Sequence, residues 1–351
     1  MSKFEERRKD GDLPEVSVLV PIRNEEDHIA KCLDSILEND YPQDKVEILV
    51  IDGMSDDRSR EVVKEYEEME TPEVRLLDNP ERIVPTAMNI GLENAAGEVI
   101  IRVDGHSFVD EDFISTSVKT LLEHEEVDAV GGPVRPALQE SSTYIRKAIS
   151  IALSSPLASG SPRFSGKSGY VTTVSFGAYW ARVFDEIGEF DERFVRTQDY
   201  ELNYRLVNSG GKIYMNPEIR SYYYPRRSFL SLWKQYFQFG FWKTKVMKKY
   251  GKLLSFGNNI PPLFVLGLTG LGLTGIFIRE SLYAFYAVVG SYLLVLSFFG
   301  VRSVSREGEK LGYALGVIFA LATIHLGFGS GFLKGLVFGI NGELTLPWKG
   351  L

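Results

Sequence analysis

The first third of the chain repeats one order of segments: a short apolar run, a polar loop, and a stretch whose apolar residues have helical spacing. Short, β-branched apolar runs of this kind are typical of buried strands. Strands that alternate with helices pair in parallel, because each helix returns the chain across the sheet in a right-handed crossover. The sequence therefore predicts an α/β fold with strands at residues 16–21, 46–51, 74–77 and 98–103.

Two of these predicted strands end in an aspartate, Asp52 and Asp104. Ligands of open α/β sheets bind outside the carboxyl ends of the strands, so both carboxylates are candidate binding residues. Asp52 is suited to accept hydrogen bonds from a ribose or a base edge. Asp104 precedes Gly105 and His106, and a carboxylate with an imidazole suits a divalent cation that bridges two phosphates. The alternative is a plain turn, which Asp-Gly commonly forms.

No glycine-rich phosphate loop accompanies these aspartates in the sequence. The motif G-x-G-x-x-G does not follow the first predicted strand, and G-x-x-x-x-G-K-[ST] does not occur at all. Because a bound pyrophosphate would lack a glycine cradle, it would need a cation, and Asp104 is the candidate ligand for that cation.

A third carboxylate, Asp199, lies at the start of a predicted helix. Leu202 and Leu206 lie four residues apart on one helical face, and Thr197 is a plausible N-cap. The helix dipole favours the ionised form of an acid in the first turn. Such a carboxylate can accept the proton of an attacking hydroxyl, although acidic residues are also common at helix starts for structural reasons.

The chain changes character after residue 220. Residues 220–252 combine nine Lys or Arg with many aromatic residues and contain no acid, a composition typical of proteins that bind single-stranded nucleic acid or a membrane surface. The net charge of −8 argues against a polyanion partner, and strongly apolar segments follow directly. We therefore predict no nucleic-acid partner and an amphipathic membrane-interface segment at residues 223–258.

Three apolar segments, at residues 260–278, 282–300 and 311–333, have the length of about 20 residues that crosses a bilayer. They predict a transmembrane region at residues 259–340, followed by a C-terminal tail at 341–351. At the other end of the chain, residues 1–14 are predicted to form a charged N-terminal tail. The connection between the second and third spans contains positively charged residues. It is therefore predicted to lie on the cytoplasmic side of the membrane, the same side as the basic segment before the first span. His325 lies within the third span, where it is either functional or hydrogen-bonded to a neighbouring helix.

Four motifs follow one another in order: VSVLVPIRNE from residue 16, EILVIDGMSDD from 47, RVDGH from 102 and TQDYELNYRL from 197. In this order they resemble glycosyltransferase family 2, whose members have the GT-A fold. The segments NPERIVPTAMNIGLENAAGEVIIRVDGH, FGAYWARVF and HLGFGSGFLKG resemble its membrane-bound branch of the succinoglycan-biosynthesis type. The resemblance implies a GT-A catalytic domain at residues 15–222 with a Rossmann-like, mixed and mostly parallel sheet.

The resemblance also implies which residues surround the donor and a cation. Asp104 and His106 correspond to the metal-binding D-x-D motif, with histidine in place of the second aspartate, and the implied cofactor is Mg²⁺ or Mn²⁺. The residues implied to bind the nucleotide are Pro21, Arg23, Glu25 and Asp52 at the nucleoside, Arg82 and Asn89 close by, and Asp104 at the diphosphate.

Asp199 aligns with the catalytic base of the family, and Gln198 stands where the family has glutamate. A single base for direct displacement implies inversion at the anomeric carbon. The family's acceptor region corresponds to Gly177, Ala178 and Gln198. The outline of its Q-x-x-R-W motif, also near the acceptor, is present at Gln238 and Trp242, with phenylalanine in place of the arginine.

The sequence as a whole predicts an inverting, metal-dependent hexosyltransferase at the cell membrane, with multiple spans and a cytoplasmic catalytic domain. Its donor would be a UDP- or GDP-sugar, with UDP favoured, and its acceptor a lipid-linked saccharide in polysaccharide or glycoconjugate synthesis. One alternative is a polyprenyl-phosphate glycosyltransferase, whose acceptor is already an anion. Another is a non-catalytic membrane-bound platform of the same fold.

Overall fold

The computed structural model describes residues 12–69, 71–137, 142–158, 167–251 and 256–338. The chain divides into two compact units. The sheet unit comprises residues 1–137 and 161–224, and the helical unit comprises residues 138–160 and 225–351. Residues 138–160 thus group with the helical unit, although the sequence places them inside the catalytic domain. Most of the two predicted tails lies outside the described residues.

Parallel strands and helices alternate at the start of the sheet unit, as predicted. The strands are β1 (Val16–Ile22), β2 (Val46–Asp52), β3 (Glu73–Asp78) and β4 (Val99–Arg102), and the helices are α1 (Ile29–Leu37), α2 (Ser59–Glu67) and α3 (Val84–Asn94). They lie in the order β3-β2-β1-β4, and each neighbouring pair is parallel. Val18 of β1 faces one core cluster and Leu19 faces the other. Both faces of β1 are therefore covered, which explains its unbroken apolar run.

The rest of the sheet unit consists of short elements. They are β5 (Ser107–Val109), α4 (Phe113–Glu123), β6 (Ala129–Gly131), β7 (Val134–Pro136), β8 (Gly169–Val171), β9 (Ala178–Trp180), α6 (Arg182–Ile187), α7 (Gln198–Asn208), β10 (Ile213–Met215) and β11 (Ser221–Tyr223). The main sheet continues as β4-β9-β6-β10-β8, with β9 antiparallel to both neighbours, and β5-β11-β7 form a second sheet. The mixed, mostly parallel sheet confirms the predicted fold class.

The helical unit contains five α-helices in its described part, four of them with 19 or more residues. They are α5 (Tyr144–Leu153), α8 (Phe229–Tyr250), α9 (Phe256–Thr274), α10 (Arg279–Arg306) and α11 (Ala314–Val337). Glycines bring α11 close to α8: a Cβ atom on Gly331 would lie 1.9 Å from the carbonyl oxygen of Phe237, and one on Gly240 would lie 2.1 Å from that of Phe328. Small residues at four-residue spacing allow this kind of close helix packing.

Most of the segment predicted to lie at a membrane interface, residues 223–258, forms helix α8, and its residues 252–255 lie outside the described residues. Its Leu232, Phe241 and Val246 are buried, and its glycine contacts with α11 show that one face packs against another helix. The amphipathic pattern therefore reflects in part a protein contact, which a prediction based on membrane binding alone did not include. Gln238 and Trp242 are half-buried on this helix, and Lys245 Nζ lies 3.9 Å from the centroid of the Trp242 ring.

Among the described residues, two helical segments are long and apolar enough to cross a bilayer: Arg279–Arg306 and Leu311–Val337. They correspond to the second and third predicted spans. Helix α9 has 19 residues with Pro261 and Pro262 inside it and does not meet the same criterion, so the first span stays a prediction. Helix α10 exposes Leu294 and Phe298, which a bilayer would cover.

Candidate active site

The carboxyl ends of β1, β2 and β4 meet at one edge of the main sheet. Ile22 pairs with Asp52 in the ladder between β1 and β2, and the amide of Gly53 donates a 2.8 Å hydrogen bond to the carbonyl of Ile22. Beyond β4, the amide of Val103 donates to the carbonyl of Leu19. This edge therefore collects Pro21, Asp52 and the Asp104 turn, the position at which open α/β sheets bind ligands.

The loops at this edge are held in uncommon backbone conformations. Asn24, Met54 and Arg82 have φ angles of 56°, 55° and 60°, although none of them is a glycine. Left-handed backbone at non-glycine residues is uncommon and clusters at ligand-binding sites. The side chains of Arg23 and Arg82 are exposed on these loops, where an anionic ligand can reach them.

The carboxylate of Asp52 is fully buried and already bonded within the protein. It accepts hydrogen bonds from Ser55 and from Arg60 Nη1, whose distance to Asp52 Oδ2 is 2.6 Å. Arg60 also contacts Asp78 Oδ1 at 2.8 Å. The sequence did not single out Ser55 or Arg60, since their link to Asp52 depends on the turn after β2. The contact of Asp52 with a nucleoside stays a prediction.

Asn89 is also occupied by contacts inside the protein. Its Nδ2 donates to the carbonyl of Phe190 at 3.0 Å and to Glu192 Oε1 at 3.1 Å, and its Oδ1 accepts from the amide of Phe190 at 2.9 Å. The side chain thus ties helix α3 to the segment before α7. This structural role accounts for its burial, and a role at the nucleotide stays a prediction.

The Asp-Gly-His segment is a turn and also presents two candidate ligands. The amide of Ser107 donates to the carbonyl of Asp104 at 2.9 Å, which closes the turn. Gly105 is required there, because a Cβ atom would lie 2.6 Å from Cγ2 of Ile22. His106 Nδ1 lies 3.2 Å from Glu25 Oε1. The two interpretations of the motif are therefore compatible.

The donor chemistry of this turn fits a divalent cation. Asp104 and Glu25 supply carboxylate oxygens, and His106 supplies an imidazole nitrogen. Mg²⁺ prefers the oxygen ligands of this set, whereas Mn²⁺ also binds the imidazole. Within the described residues, no group of three or more His, Cys, Asp or Glu side chains is arranged to hold a metal ion. The donor diphosphate and water would therefore have to complete the coordination of any cation held here.

Arg102, the last residue of β4, fixes the Asp104 carboxylate. Its Nε and Nη2 atoms lie 2.8 and 2.7 Å from Asp104 Oδ1. Burial opposes the charge of Arg102, but the nearby carboxylates of Asp104 and Asp199 raise its pKa above the ordinary value. The guanidinium therefore stays charged and lies in the field of both predicted functional carboxylates.

Asp199 lines a small cavity of about 10 Å³, with room for roughly one water molecule. Arg102 and Tyr179 line the same cavity, as does Gly177, one of the predicted acceptor residues. The amide of Tyr200 donates to Asp199 Oδ1 at 2.8 Å. The predicted base and one residue of the predicted acceptor region thus line the same cavity.

Tyr179 is a neutral hydrogen-bond donor in this cavity. Burial, and next the charge of Asp199, raise the pKa of its phenol well above the usual range. Its hydroxyl donates to Asn203 Oδ1 at 2.8 Å, and Asn203 Nδ2 donates to the carbonyl of Val174 at 2.9 Å. A Cβ atom on Gly177 would lie 2.6 Å from the Tyr179 ring, so glycine is needed there.

Helix α7 presents Asp199 in its first turn, as predicted, but its start differs from the expectation. Thr197 occupies the N-cap position with a φ of 61°, and its hydroxyl donates to the carbonyl of Arg196 instead of capping the helix. The capping interaction predicted for Thr197 is therefore wrong. Gln198 and Ala178 are both buried beside these elements.

Three residues of this site were missed from the sequence: Arg102, Tyr179 and Asn203. An arginine that ends an otherwise apolar strand is the one local signal, and it points to Arg102. The two predicted residues on α8, Gln238 and Trp242, belong to the helical unit, and their part in acceptor binding stays a prediction.

Comparison with solved structures defines the class of fold. The mannosyltransferase PcManGT from Pyrobaculum calidifontis, solved in complex with GDP-Man and Mn²⁺, matches with a TM-score of 0.59. The match covers 96% of this chain and 92% of that chain at 17% sequence identity. At that identity the likeness shows a shared fold, that of a GT-A glycosyltransferase.

Sequence relatives define the family. The family description "Glycosyl transferase family 2" matches residues 17–188. A Methanococcus voltae protein named dolichyl N-acetyl-alpha-D-glucosaminyl phosphate 3-beta-D-2,3-diacetamido-2,3-dideoxy-beta-D-glucuronosyltransferase is 31% identical over 332 residues, 92% of this chain and 98% of the relative. The succinoglycan biosynthesis protein ExoA of Rhizobium meliloti (strain 1021) is 30% identical over 66% of this chain and 70% of its own length. The chain belongs to glycosyl transferase family 2 and is a glycosyltransferase, so the alternative of a non-catalytic platform is not supported.

Proposed function

We propose that this glycosyltransferase transfers a sugar, with inversion, from a nucleoside diphosphate sugar to a hydroxyl group of a lipid-linked saccharide. The observation that carries the proposal is the arrangement around Arg102, which bonds Asp104 on one side and shares a cavity with Asp199 on the other. The guanidinium of Arg102, which is mostly buried, thereby lies between a donor-side carboxylate that it bonds and an acceptor-side carboxylate with which it shares a cavity.

Asp199 is the general base of the proposed reaction. Its carboxylate accepts the proton of the acceptor hydroxyl while the hydroxyl oxygen attacks the anomeric carbon of the donor. The bond from that carbon to the diphosphate breaks, and the nucleoside diphosphate leaves with the electron pair. Attack and departure occur on opposite faces of the sugar, which inverts the anomeric configuration.

Arg102 and the neighbouring turn prepare the donor side. The guanidinium of Arg102 fixes one carboxylate oxygen of Asp104, so the side chain is oriented before the donor arrives. Asp104 and His106, with Glu25 adjacent to the histidine, would hold Mg²⁺ or Mn²⁺. When bound, the cation supplies neutralisation of the charge that develops on the departing diphosphate.

The relatives support a lipid-linked acceptor. The name of the Methanococcus voltae relative describes transfer to a sugar that is carried on dolichyl phosphate. The apolar helices α10 and α11 are suited to hold the enzyme at the membrane where such carriers lie. We propose a multi-pass membrane enzyme whose sheet unit faces the cytoplasm, where nucleotide sugars are available.

A transfer assay with two acceptors tests this proposal. The full chain in detergent is given UDP- or GDP-sugars with Mn²⁺, Mg²⁺ or chelator, and either polyprenyl-phosphate-linked N-acetylglucosamine or bare polyprenyl phosphate. Asp199→Asn should lower kcat with the saccharide acceptor by about 10²- to 10⁴-fold, because the general base is lost. Donor binding, measured by calorimetry, should stay within about twofold of the wild-type value.

Asp44→Asn is the matched control, since Asp44 is an exposed acid in a short turn far along the chain from Asp199. It should leave kcat and donor binding unchanged. Full activity of Asp199→Asn with the saccharide acceptor would contradict the assigned base. If only bare polyprenyl phosphate is glycosylated, and Asp199→Asn retains that activity, the enzyme is a polyprenyl-phosphate glycosyltransferase, because an anionic acceptor needs little base catalysis.

A further inference from the structure

The helical unit contains a cavity of about 330 Å³ that the proposed reaction does not use. It lies between the segment that follows α5 and the last two turns of α10. Ser154 and Pro156 line it from the first side, and Phe299, Arg302 and Arg306 from the other. This volume is at the lower end of the range that small-molecule sites occupy.

The two arginines of this cavity have no acidic partner in the described part of the chain. Neither Arg302 nor Arg306 forms an ion pair or a side-chain hydrogen bond there, although Glu307 also lines the cavity. Elsewhere in the same unit, Lys147 and Glu309 form an ion pair, with Lys147 Nζ 2.7 Å from Glu309 Oε1. The cavity thus has two unpaired guanidinium groups against one carboxylate.

Helix stability alone does not explain this pair. Like charges at positions i and i+4 of a helix repel each other by a few tenths of a kcal/mol. The helix dipole favours a cation in the last turn, which accounts for Arg306 but applies less to Arg302, one turn earlier. Two guanidinium forks on one helical face are instead well suited to bind the oxygens of a phosphate group.

The apolar surroundings favour a phosphate that carries a hydrocarbon chain. Phe299 forms a wall of the cavity, and the adjoining surface of α10 exposes Leu294 and Phe298. Helix α10 has 28 residues and is about 42 Å long. Because the hydrocarbon core of a bilayer is about 30 Å thick, the last turns of such a helix reach the level of the lipid head groups.

We propose that this cavity binds the phosphate head group of a lipid, with Arg302 and Arg306 as the phosphate ligands and Phe299 against the first carbons of the chain. Ser303 is a mostly buried residue of the same lining, and its hydroxyl can donate a further hydrogen bond. The site binds its lipid without a nucleotide sugar, so its occupancy does not depend on the transfer reaction.

Direct binding measurements on the full chain in neutral detergent test this inference. The probes are geranylgeranyl monophosphate, the uncharged alcohol geranylgeraniol, and inorganic phosphate, each without a donor sugar. The wild-type protein should bind the lipid phosphate at least about tenfold more tightly than the alcohol or the free phosphate. The double variant Arg302→Gln/Arg306→Gln should lose about tenfold or more of that affinity, and Arg302→Lys/Arg306→Lys should lose less.

Lys310→Gln is the matched control. Lys310 is an exposed cation in the connection between α10 and α11, and it does not line the cavity. It should bind as the wild type does. If the wild-type and the folded double-glutamine protein bind the lipid phosphate with equal affinity, the proposed site is wrong. If the wild type binds the alcohol as tightly as the lipid phosphate, the proposed phosphate contact is wrong. If it binds inorganic phosphate as tightly as the lipid phosphate, the proposed lipid ligand is wrong. If the double-glutamine variant does not fold, the Arg302→Lys/Arg306→Lys variant provides the test. Its affinity for the lipid phosphate should be lower than that of the wild type, whereas an unchanged affinity would mean that the arginines have only a structural role.

Discussion

The sheet unit buries charged groups and pairs them, whereas the helical unit brings helices together at glycines. In the sheet unit, fully buried Asp52 bonds Arg60, and fully buried Glu201 bonds Arg205. In the helical unit, Gly331 and Gly240 let the backbones of α11 and α8 approach so closely that no side chain fits between them. Each unit is therefore sensitive to a different kind of substitution.

The difference agrees with the function that we propose for each unit. A site for nucleotides and cations needs charges held in fixed directions, and a buried charge is stable only when its partner and hydrogen bonds are in place. Helices that lie in a bilayer gain little from burying apolar side chains against one another, since lipid tails are equally apolar, and close packing of small residues is more favourable. The two units thus show two solutions, one for ligand binding and one for packing.

The largest expected effect on stability comes from breaking a charge pair in the sheet unit. Arg205 Nε lies 3.0 Å from Glu201 Oε1, and its Nη2 donates to the carbonyl of Glu189 at 2.6 Å. Arg205→Met should lower the free energy of unfolding by about 3–5 kcal/mol, because the fully buried Glu201 carboxylate would lose the guanidinium that neutralises its charge. Denaturant unfolding followed by tryptophan fluorescence measures this loss.

The double variant Arg205→Met/Glu201→Leu is the control for that prediction. Replacing both residues removes the buried carboxylate together with its guanidinium, so a large part of the lost stability should return. If the double variant is as unstable as Arg205→Met, the loss comes from packing around Arg205 and not from the loss of its charge beside Glu201, and the contrast between the units weakens.

A smaller loss is expected from one methyl group in the helical unit. Gly331→Ala would place a Cβ atom 1.9 Å from the carbonyl oxygen of Phe237, so α8 and α11 must move apart. Overpacking of this kind costs about 1–3 kcal/mol. The midpoint of thermal unfolding in detergent should fall for Gly331→Ala and not for Gly290→Ala, since no atom lies within 4 Å of a Cβ on Gly290. Equal midpoints for the two variants would show that the glycine contact is not required.

The strands and the edge where the site lies could be predicted from the sequence, because both depend on local pattern. An unbroken apolar run such as that of β1 predicts a strand covered on both faces, and parallel strands bring their carboxyl ends together. The rule that ligands bind at the carboxyl ends of parallel strands gave the approximate positions of Asp52 and Asp104. The helical spacing of the leucines after it gave the position of Asp199 at a helix start. These residues are close to strand or helix ends in the structure as well.

The contacts of these side chains could not be predicted, because their partners are distant in the sequence or depend on loop geometry. The charge of Asp199 raises the pKa of Arg102, which is distant from it in the sequence, and Asn89 bonds the backbone of Phe190, 101 residues further along the chain. The four-residue spacing of glycines around Gly331 is visible in the sequence, but it does not indicate that Gly331 contacts Phe237 on α8. Tertiary structure decides these pairings, and no local pattern in the sequence encodes them.

The smallest predicted effect concerns His325, which joins three segments of the helical unit. Its Nε2 lies 2.8 Å from the carbonyl oxygen of Leu157, which can only accept, so Nε2 carries the hydrogen. Nδ1 is then the acceptor for the hydroxyl of Tyr292, 2.9 Å away. Hydrogen bonds to neighbouring segments, one of the two interpretations made from the sequence, therefore occupy both ring nitrogens.

Tyr292→Phe should remove one of these bonds and lower the free energy of unfolding by about 1 kcal/mol, while His325→Leu should remove both and cost more. Once His325 is leucine, Tyr292→Phe should have almost no further effect, because its acceptor is already absent. Thermal unfolding of the four proteins of this cycle measures the coupling. Additive losses would mean that the tyrosine hydroxyl and the imidazole act separately, so that the His325 contacts would not form a network comparable with the paired charges of the sheet unit.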